Sequence, residues 1–363
     1  MFKGFSILDA DCHVIEPFEM WEKYIEPAFK SRAPYCDETG IKVEGVPIWN
    51  KVSKEVQTEA ALQVIRNHGM AVVRGFDAES YIKTMQKIGV DMAFLYPTVG
   101  LWMLAVDTMD AKLAGALVRA YNRWLRDFCS YDPQRLWGIG AINQHAPEEM
   151  VPELHRLAEF GWKAVFLRPN LVKGRSLSDP AYEPFWSECA RMGVAVCIHE
   201  GSHCRLPAAG ADRFDTRFAL HACSHPIEQM MGLLALIEGG VLERHPGLRV
   251  GFFEAGCGWL PYWLWRLDRE WEDLAWEVRE NVKMKPSEYF QRQCFISVDP
   301  NEPYLEEVIR HTGTDNLLFG SDYPHMDSQP DIVERAVALA DRLGESTVRK
   351  LLWDNPKRFF NLC

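Results

Sequence analysis

The chain has 363 residues, 47% hydrophobic and 25% charged, and a formal net charge of -11. This is ordinary globular material, long enough for two domains or one large α/β barrel, and the acidic balance without any basic run excludes nucleic acid or an acidic membrane as the main partner. Ten cysteines at irregular spacings with no CxxC pair point to neither a disulfide framework nor a zinc ribbon. With no apolar leader after Met1, the expectation is reduced thiols in a cytoplasm. No apolar run is long enough to span a bilayer, since the aromatic-rich WLPYWLWRLDREW is broken by Pro261, Arg266 and Asp268.

The first strand is ILDADCH, where alternation places Asp9, Asp11 and His13 on one face and Ala10 and Cys12 on the other. Periodicity then fails from Glu16 to about Gly75, a stretch punctuated by Pro17, Pro27, Pro34, Gly40, Gly45 and Pro47 and carrying Trp21, Tyr24, Phe29 and Trp49. A connection that long is a lid over an active site or a packing insertion. From residue 75 a rhythm begins. Helix-like stretches at 78–89, 107–131, 147–161, 180–193, 224–246, 258–281 and 302–313 alternate with strand-like runs at 91–98, 136–143, 163–170, 195–201, 248–256, 293–299 and 316–322, before terminal helices from 330. Eight strands alternating with helices predict a single (β/α)8 barrel domain, and no GxGxxG follows any strand to suggest a dinucleotide fold.

His13, Arg168, His199, Glu254, Asp299 and Asp322 each sit at or beside the last residue of an apolar strand run. In a (β/α)8 barrel these ends share one face, the one that carries active sites. Asp322, delivered at the mouth of the strand in LFGSDYPH, is costly unless paired, and Asp11 and His13 lie two apart on the first strand. Asp11, His13, His199 and Asp322 are therefore the expected ligands of a divalent cation. Oxygen and imidazole donors without thiolate suit Zn, Fe, Mn, Co or Ni, with one or two ions per chain, and Cys12 faces away. His225 precedes Pro226, which suits the first turn of a helix, and is a candidate ligand or proton carrier, ahead of His221, His203 and His325. Arg168 binds a substrate carboxylate or ties up a strand-end acid. His68, His145, His155, His245 and His311 are expected to do nothing chemical.

The stretches ILDADCHVIEP, AVCIHEG, FFEAGCGWLPYW and LLFGSDYPH resemble the amidohydrolase-related family that includes aminocarboxymuconate semialdehyde decarboxylase. The resemblance covers nearly the whole chain. It implies a distorted TIM barrel, matches Asp11, His13, His199 and Asp322 to the family's metal ligands, and suggests a homodimer. The helix around Trp259–Trp276 is a possible interface or a core stripe. Decarboxylases of the family carry a catalytic His at the end of the sixth strand, where this chain has Glu254.

Two catalytic readings follow. In the first, the chain hydrolyses or decarboxylates a small cyclic or carboxylated substrate: the ion activates water, Asp322 orients or deprotonates it, and Glu254 or His225 shuttles the proton. In the second, Glu254 and His225 join the ligands of two metals, and an iron centre hydroxylates a small organic substrate. A third alternative is a barrel that holds metal only for structure.

Overall fold

The computed structural model describes every residue except Lys51, Asp327 and Cys363. Eight short parallel strands carry the core: β1 (Leu8–His13), β2 (Met92–Tyr96), β3 (Leu136–Gly138, continued by Gly140–Ala141), β4 (Ala164–Leu167), β5 (Ala195–His199), β6 (Val250–Phe253), β7 (Cys294–Val298) and β8 (Leu317–Phe319). Their residues are almost all buried because helices cover the outer face while side chains fill the interior, which is why the runs read as continuously apolar. The eight predicted strands and the helices between them are all found.

Pairing runs β1-β2-β3 on one side and β3-β4-β5-β6-β7-β8 on the other, with every neighbour parallel. The backbone N–H of Ile139, between the two halves of β3, donates to Leu95 O of β2 at 3.0 Å and ties the break to that strand. Gly138 and Gly140 let two bulky side chains lie on this strand, since a Cβ at either would fall 2.3 Å from Trp162 or Leu157. No ladder joins β8 to β1 among the described residues. Backbone bonds just beyond β8 span that seam instead, from Asp322 N to Asp11 O (2.8 Å) and from His13 N to Tyr323 O (2.6 Å).

Residues 16–75 contain more regular structure than their punctuation suggests: the helix Glu19–Tyr24, three short antiparallel strands between Tyr35 and Pro47, and the helix Lys54–Val73. The last was hidden because it is mostly exposed and buries only Ala71 fully, so it carries little periodic apolar signal.

Two expectations change here. The helix assigned to 224–246 begins at Arg217, where the Thr216 hydroxyl accepts from Ala219 N at 3.2 Å, and it runs to Glu238 with Pro226 inside it. His225 is therefore two turns into the helix and not at its start. In the helix Leu260–Val278 the aromatics divide: Trp263 and Trp271, like Trp259 just before the helix, pack against the core beside the buried Leu260, Leu264 and Leu267, while Tyr262, Trp265 and Trp276 are exposed.

Candidate metal centre

The ends of β1, β5, β6 and β8 bring together Asp11, His13, His199, Glu254 and Asp322. On β1 the register shifts between Asp9 and Cys12, and this irregularity separates residues that simple alternation groups. Asp9 turns to the seam, where its Oδ1 accepts from Ser321 N at 3.0 Å and Asp11 N at 3.3 Å; burial pushes its carboxyl up to about 7. Asp11 and His13 remain aimed at the barrel mouth. The Cys12 thiol faces Phe94 O at 3.2 Å, away from them.

Two imidazoles are held in one orientation. His13 Nδ1 lies 2.8 Å from Pro97 O and His199 Nδ1 lies 2.7 Å from Glu200 O. A carbonyl oxygen only accepts, so each Nδ1 carries a proton and each Nε2 is turned inward. His13 Nε2 is 3.6 Å from Asp11 Oδ1 and 3.4 Å from Asp322 Oδ1, and His199 Nε2 is 3.5 Å from Asp11 Oδ1. Both side chains of Asp11 and His199 are essentially inaccessible to solvent. Asp11 Oδ1, His13 Nε2 and His199 Nε2 have no hydrogen-bond partner among the described residues.

That arrangement fits a divalent ion. Ligand atoms bound at about 2.0–2.2 Å in a tetrahedral array stand about 3.3–3.6 Å apart, the spacing found here. Without a cation the same groups must share protons. Burial alone would lower the His199 pKa, yet the facing Asp11 and Glu254 carboxylates push it up to about 10. Burial would raise Asp11, but His13 and His199 hold it below the usual carboxylate range. Glu254 is likewise held well below that range, against burial, by His199 and His225.

Glu254 follows β6 in the left-handed region (φ +53°), as does Asp322 after β8 (φ +53°). A non-glycine residue there costs about 1–2 kcal/mol, and here the cost aims two carboxylates into one space. Glu254 Oε2 lies 3.1 Å from His199 Nε2 and its Oε1 lies 3.3 Å from His225 Nε2.

A cavity of about 340 Å³ opens over these groups, lined by Trp49, Ala60, Ala61 and Val64 of the 16–75 segment, by Ile15, Leu101, Trp102, Pro324 and Met326, and by the polar groups of Thr98, Arg217, His221, His225, Glu254 and His325. This suits a small, largely apolar molecule with a few polar anchors.

Not every expected residue is there. Arg168 is buried beneath the site, where its Nη2 pairs with Glu200 Oε1 at 3.1 Å and donates to Gly201 O at 3.0 Å. It ties up a strand-end acid, and that acid is Glu200, which the sequence reading did not single out although it follows His199 directly. Asp299 is exposed and accepts from Asn301 in a turn. His203 faces Asn50 O. His325, ranked low, has its Nδ1 2.6 Å from Asp322 Oδ1 and its Nε2 2.8 Å from Thr98 Oγ1. Burial and the neighbouring His13 hold its imidazole well below the usual range. Its place in LFGSDYPH, three residues after Asp322, was the available signal.

Comparison with known proteins decides the family. The family model described as Amidohydrolase matches residues 8–362. The chain belongs to the amidohydrolase family. Among its amidohydrolase relatives, the 2-amino-3-carboxymuconate-6-semialdehyde decarboxylase of Dictyostelium discoideum is 26% identical over 79% of this chain and 77% of its own. The gamma-resorcylate decarboxylase of Polaromonas is 24% identical over 70% and 78%. An amidohydrolase structure from Mycobacterium avium subsp. paratuberculosis superposes with a TM-score of 0.77 at 21% identity, covering 99% of both chains. The 5-carboxyvanillate decarboxylase of Novosphingobium aromaticivorans, solved with manganese and 4-hydroxy-3-methoxy-5-nitrobenzoic acid, gives 0.74 at 21% identity over 99% and 97%. The expected fold and the expected class, a metal-dependent enzyme of amidohydrolase type, agree with these amidohydrolases. The oxygenase alternative finds no support among them.

Proposed function

We propose that the chain is a metal-dependent decarboxylase of small aromatic or unsaturated carboxylic acids, with a divalent ion held by Asp11, His13, His199 and Asp322. The observation that carries this reading is the convergence of Asp11 Oδ1, His13 Nε2 and His199 Nε2, three buried acceptor atoms with no hydrogen-bond partner among the described residues, next to Glu254, which lines the cavity. Manganese is present in the 5-carboxyvanillate decarboxylase structure, and zinc and iron suit the same donors. When bound, such an ion supplies Lewis-acid polarisation of a substrate oxygen.

The chain's own groups do the rest. Trp49, Trp102 and Leu101 grip a flat ring and exclude water, and Arg217, at the cavity wall, pairs with a substrate carboxylate. Asp322, fixed by His325 at 2.6 Å, is placed to take up a proton from solvent or from an acidic group of the entering substrate and pass it to the carbon that loses its carboxyl group; the new C–H bond forms as the C–C bond breaks and carbon dioxide leaves. Glu254 and His225 form a second polar pair at 3.3 Å, open both to proton relay and to ion binding. Residues 16–75 act as a lid, because Trp49, Ala60, Ala61 and Val64 roof the cavity. All nine described cysteines are free, which supports the cytoplasmic reading, and no described helix is long and apolar enough to cross a membrane. The exposed Tyr262, Trp265 and Trp276 are the surface for a homodimer.

A second reading, hydrolysis, is favoured by Glu254 itself, a carboxylate able to take a proton from water. One assay separates the two. Manganese-loaded protein is given hydroxybenzoates and unsaturated diacids in one panel, and esters, amides and lactones in another. Carbon dioxide release that His13→Ala abolishes is the expected result; hydrolysis without carbon dioxide overturns it.

A further inference from the structure

We infer that the chain holds a second metal ion, bound by His221, His225 and Glu254, with the Glu254 carboxylate bridging it to the first. The inference rests on the reading that Asp11, His13, His199 and Asp322 bind that first ion.

The geometry of Glu254 is the starting point. Its two oxygens face different imidazoles: Oε2 is 3.1 Å from His199 Nε2, whereas Oε1 is 3.3 Å from His225 Nε2. Oε2 thus belongs to the first group of donors and Oε1 to another. The second group is prepared by the helix Arg217–Glu238, on which His221 and His225 are four residues apart and so share one face. Their rings stack with centroids 4.3 Å apart at 25°. One donor atom from each of His221, His225 and Glu254 lies within 4.8 Å of the others. Paired histidines at this helical spacing with a carboxylate from another element are a sound donor set for a divalent transition ion.

A second observation comes from behind His225. Glu200 is completely buried, and its Oε1 takes Arg168 at 3.1 Å and Asn170 at 3.3 Å. Its Oε2 has no hydrogen-bond partner among the described residues and lies 3.4 Å from His225 Nδ1. A buried carboxylate against the Nδ1 side of an imidazole orients the ring and makes Nε2 a better donor, the arrangement that supports metal-bound histidines. Here it directs Nε2 of His225 at Glu254.

Charge balance points the same way. Asp11, Asp322, Glu254 and Glu200 crowd this end of the barrel, and the permanent cation bound among them is Arg168. Arg168 and one divalent ion compensate three of the four carboxylates. A second divalent ion covers the fourth with one positive charge to spare for an anionic substrate, and its open positions face the 340 Å³ cavity, where they can take oxygens of substrate or water. Two-metal centres hold their ions about 3.5–4 Å apart across a shared ligand, a span that one bridging carboxylate covers.

The test uses manganese(II) alone. The full chain is stripped with chelator, saturated with manganese, desalted, and read by elemental analysis and electron paramagnetic resonance, with circular dichroism to verify folding. The expected result is two ions per chain with an exchange-coupled spectrum, falling to one ion with an isolated-manganese spectrum in His225→Asn and in His221→Asn. The second variant lies on a more exposed part of the helix, so it keeps the test open if the first does not fold. One ion per chain with an isolated spectrum in the parent protein overturns the second site and leaves the first standing. Two ions retained in both variants also overturns it. A folded parent chain that retains none overturns both.

Discussion

Gly320 stands between β8 and Asp322, and its missing side chain is what lets β8 lie against Asp11. A Cβ at this position would fall 2.4 Å from Asp11 Cβ and 3.4 Å from Asp11 Oδ2. Ordinary contact begins at 3.4 Å, so Gly320→Ala forces the two apart by the difference between 3.4 and 2.4 Å, about 1 Å. Metal–ligand distances tolerate about 0.2 Å, so the displacement is several times what a bound ion accepts. The fold should survive, since overpacking of this kind costs about 1–3 kcal/mol. Manganese affinity, measured by calorimetric titration of the stripped protein, should fall by roughly 10- to 100-fold, as it does when a ligand's support is removed. Gly313→Ala is the control: that site has φ +77° and ψ -174° with nothing within 4 Å, so it should cost about 1–3 kcal/mol in backbone strain and leave manganese affinity unchanged. Parent affinity and melting in Gly320→Ala would refute the placing of Asp11 at the ion.

Three further outcomes are expected. Arg168→Leu strands the buried Glu200 carboxylate and should lower stability by about 3–5 kcal/mol in denaturant titration; unchanged stability with a raised KM would make Arg168 a substrate ligand instead. Burial pushes the Glu228 carboxyl from 4.5 up to about 7, a rise that the Ala209 N–H only partly offsets. Its folded form thus holds a proton more tightly than its unfolded form, so its stabilising contribution is full below about pH 4.5 and is lost as pH rises through 7. Glu228→Gln should therefore gain in melting temperature relative to the parent between pH 5 and pH 8, and a constant difference would contradict the shift. Limited proteolysis should cut residues 16–75 more slowly when the cavity is filled by a nitrophenol-type inhibitor, and equal rates would leave the segment a packing insertion.

The barrel was legible because its strands are buried on both faces and its helices are amphipathic, so both periods stand out in the text. Asp11, His13, His199, Glu254 and Asp322 were legible through one topological rule, that strand ends share a face. Three things were not. Asp9 reads as a neighbour of Asp11 by alternation, but a register shift in β1 separates them, and such shifts leave no mark on the residue pattern. The start of the Arg217–Glu238 helix was hidden by Pro226, which usually marks a first turn yet here sits inside. Glu200 was passed over and His325 ranked low because their partners, Arg168 and Asp322, are fixed by tertiary placement. Arg217 reaches the cavity wall from a helix end that the same proline had concealed.

Anomalous diffraction from crystals of manganese-loaded protein shows directly whether the strand-end cluster binds a divalent ion. A manganese peak within bonding distance of Asp11, His13, His199 and Asp322 is the expected result. A crystal whose bound manganese lies elsewhere, with these four side chains left without an ion, would contradict it.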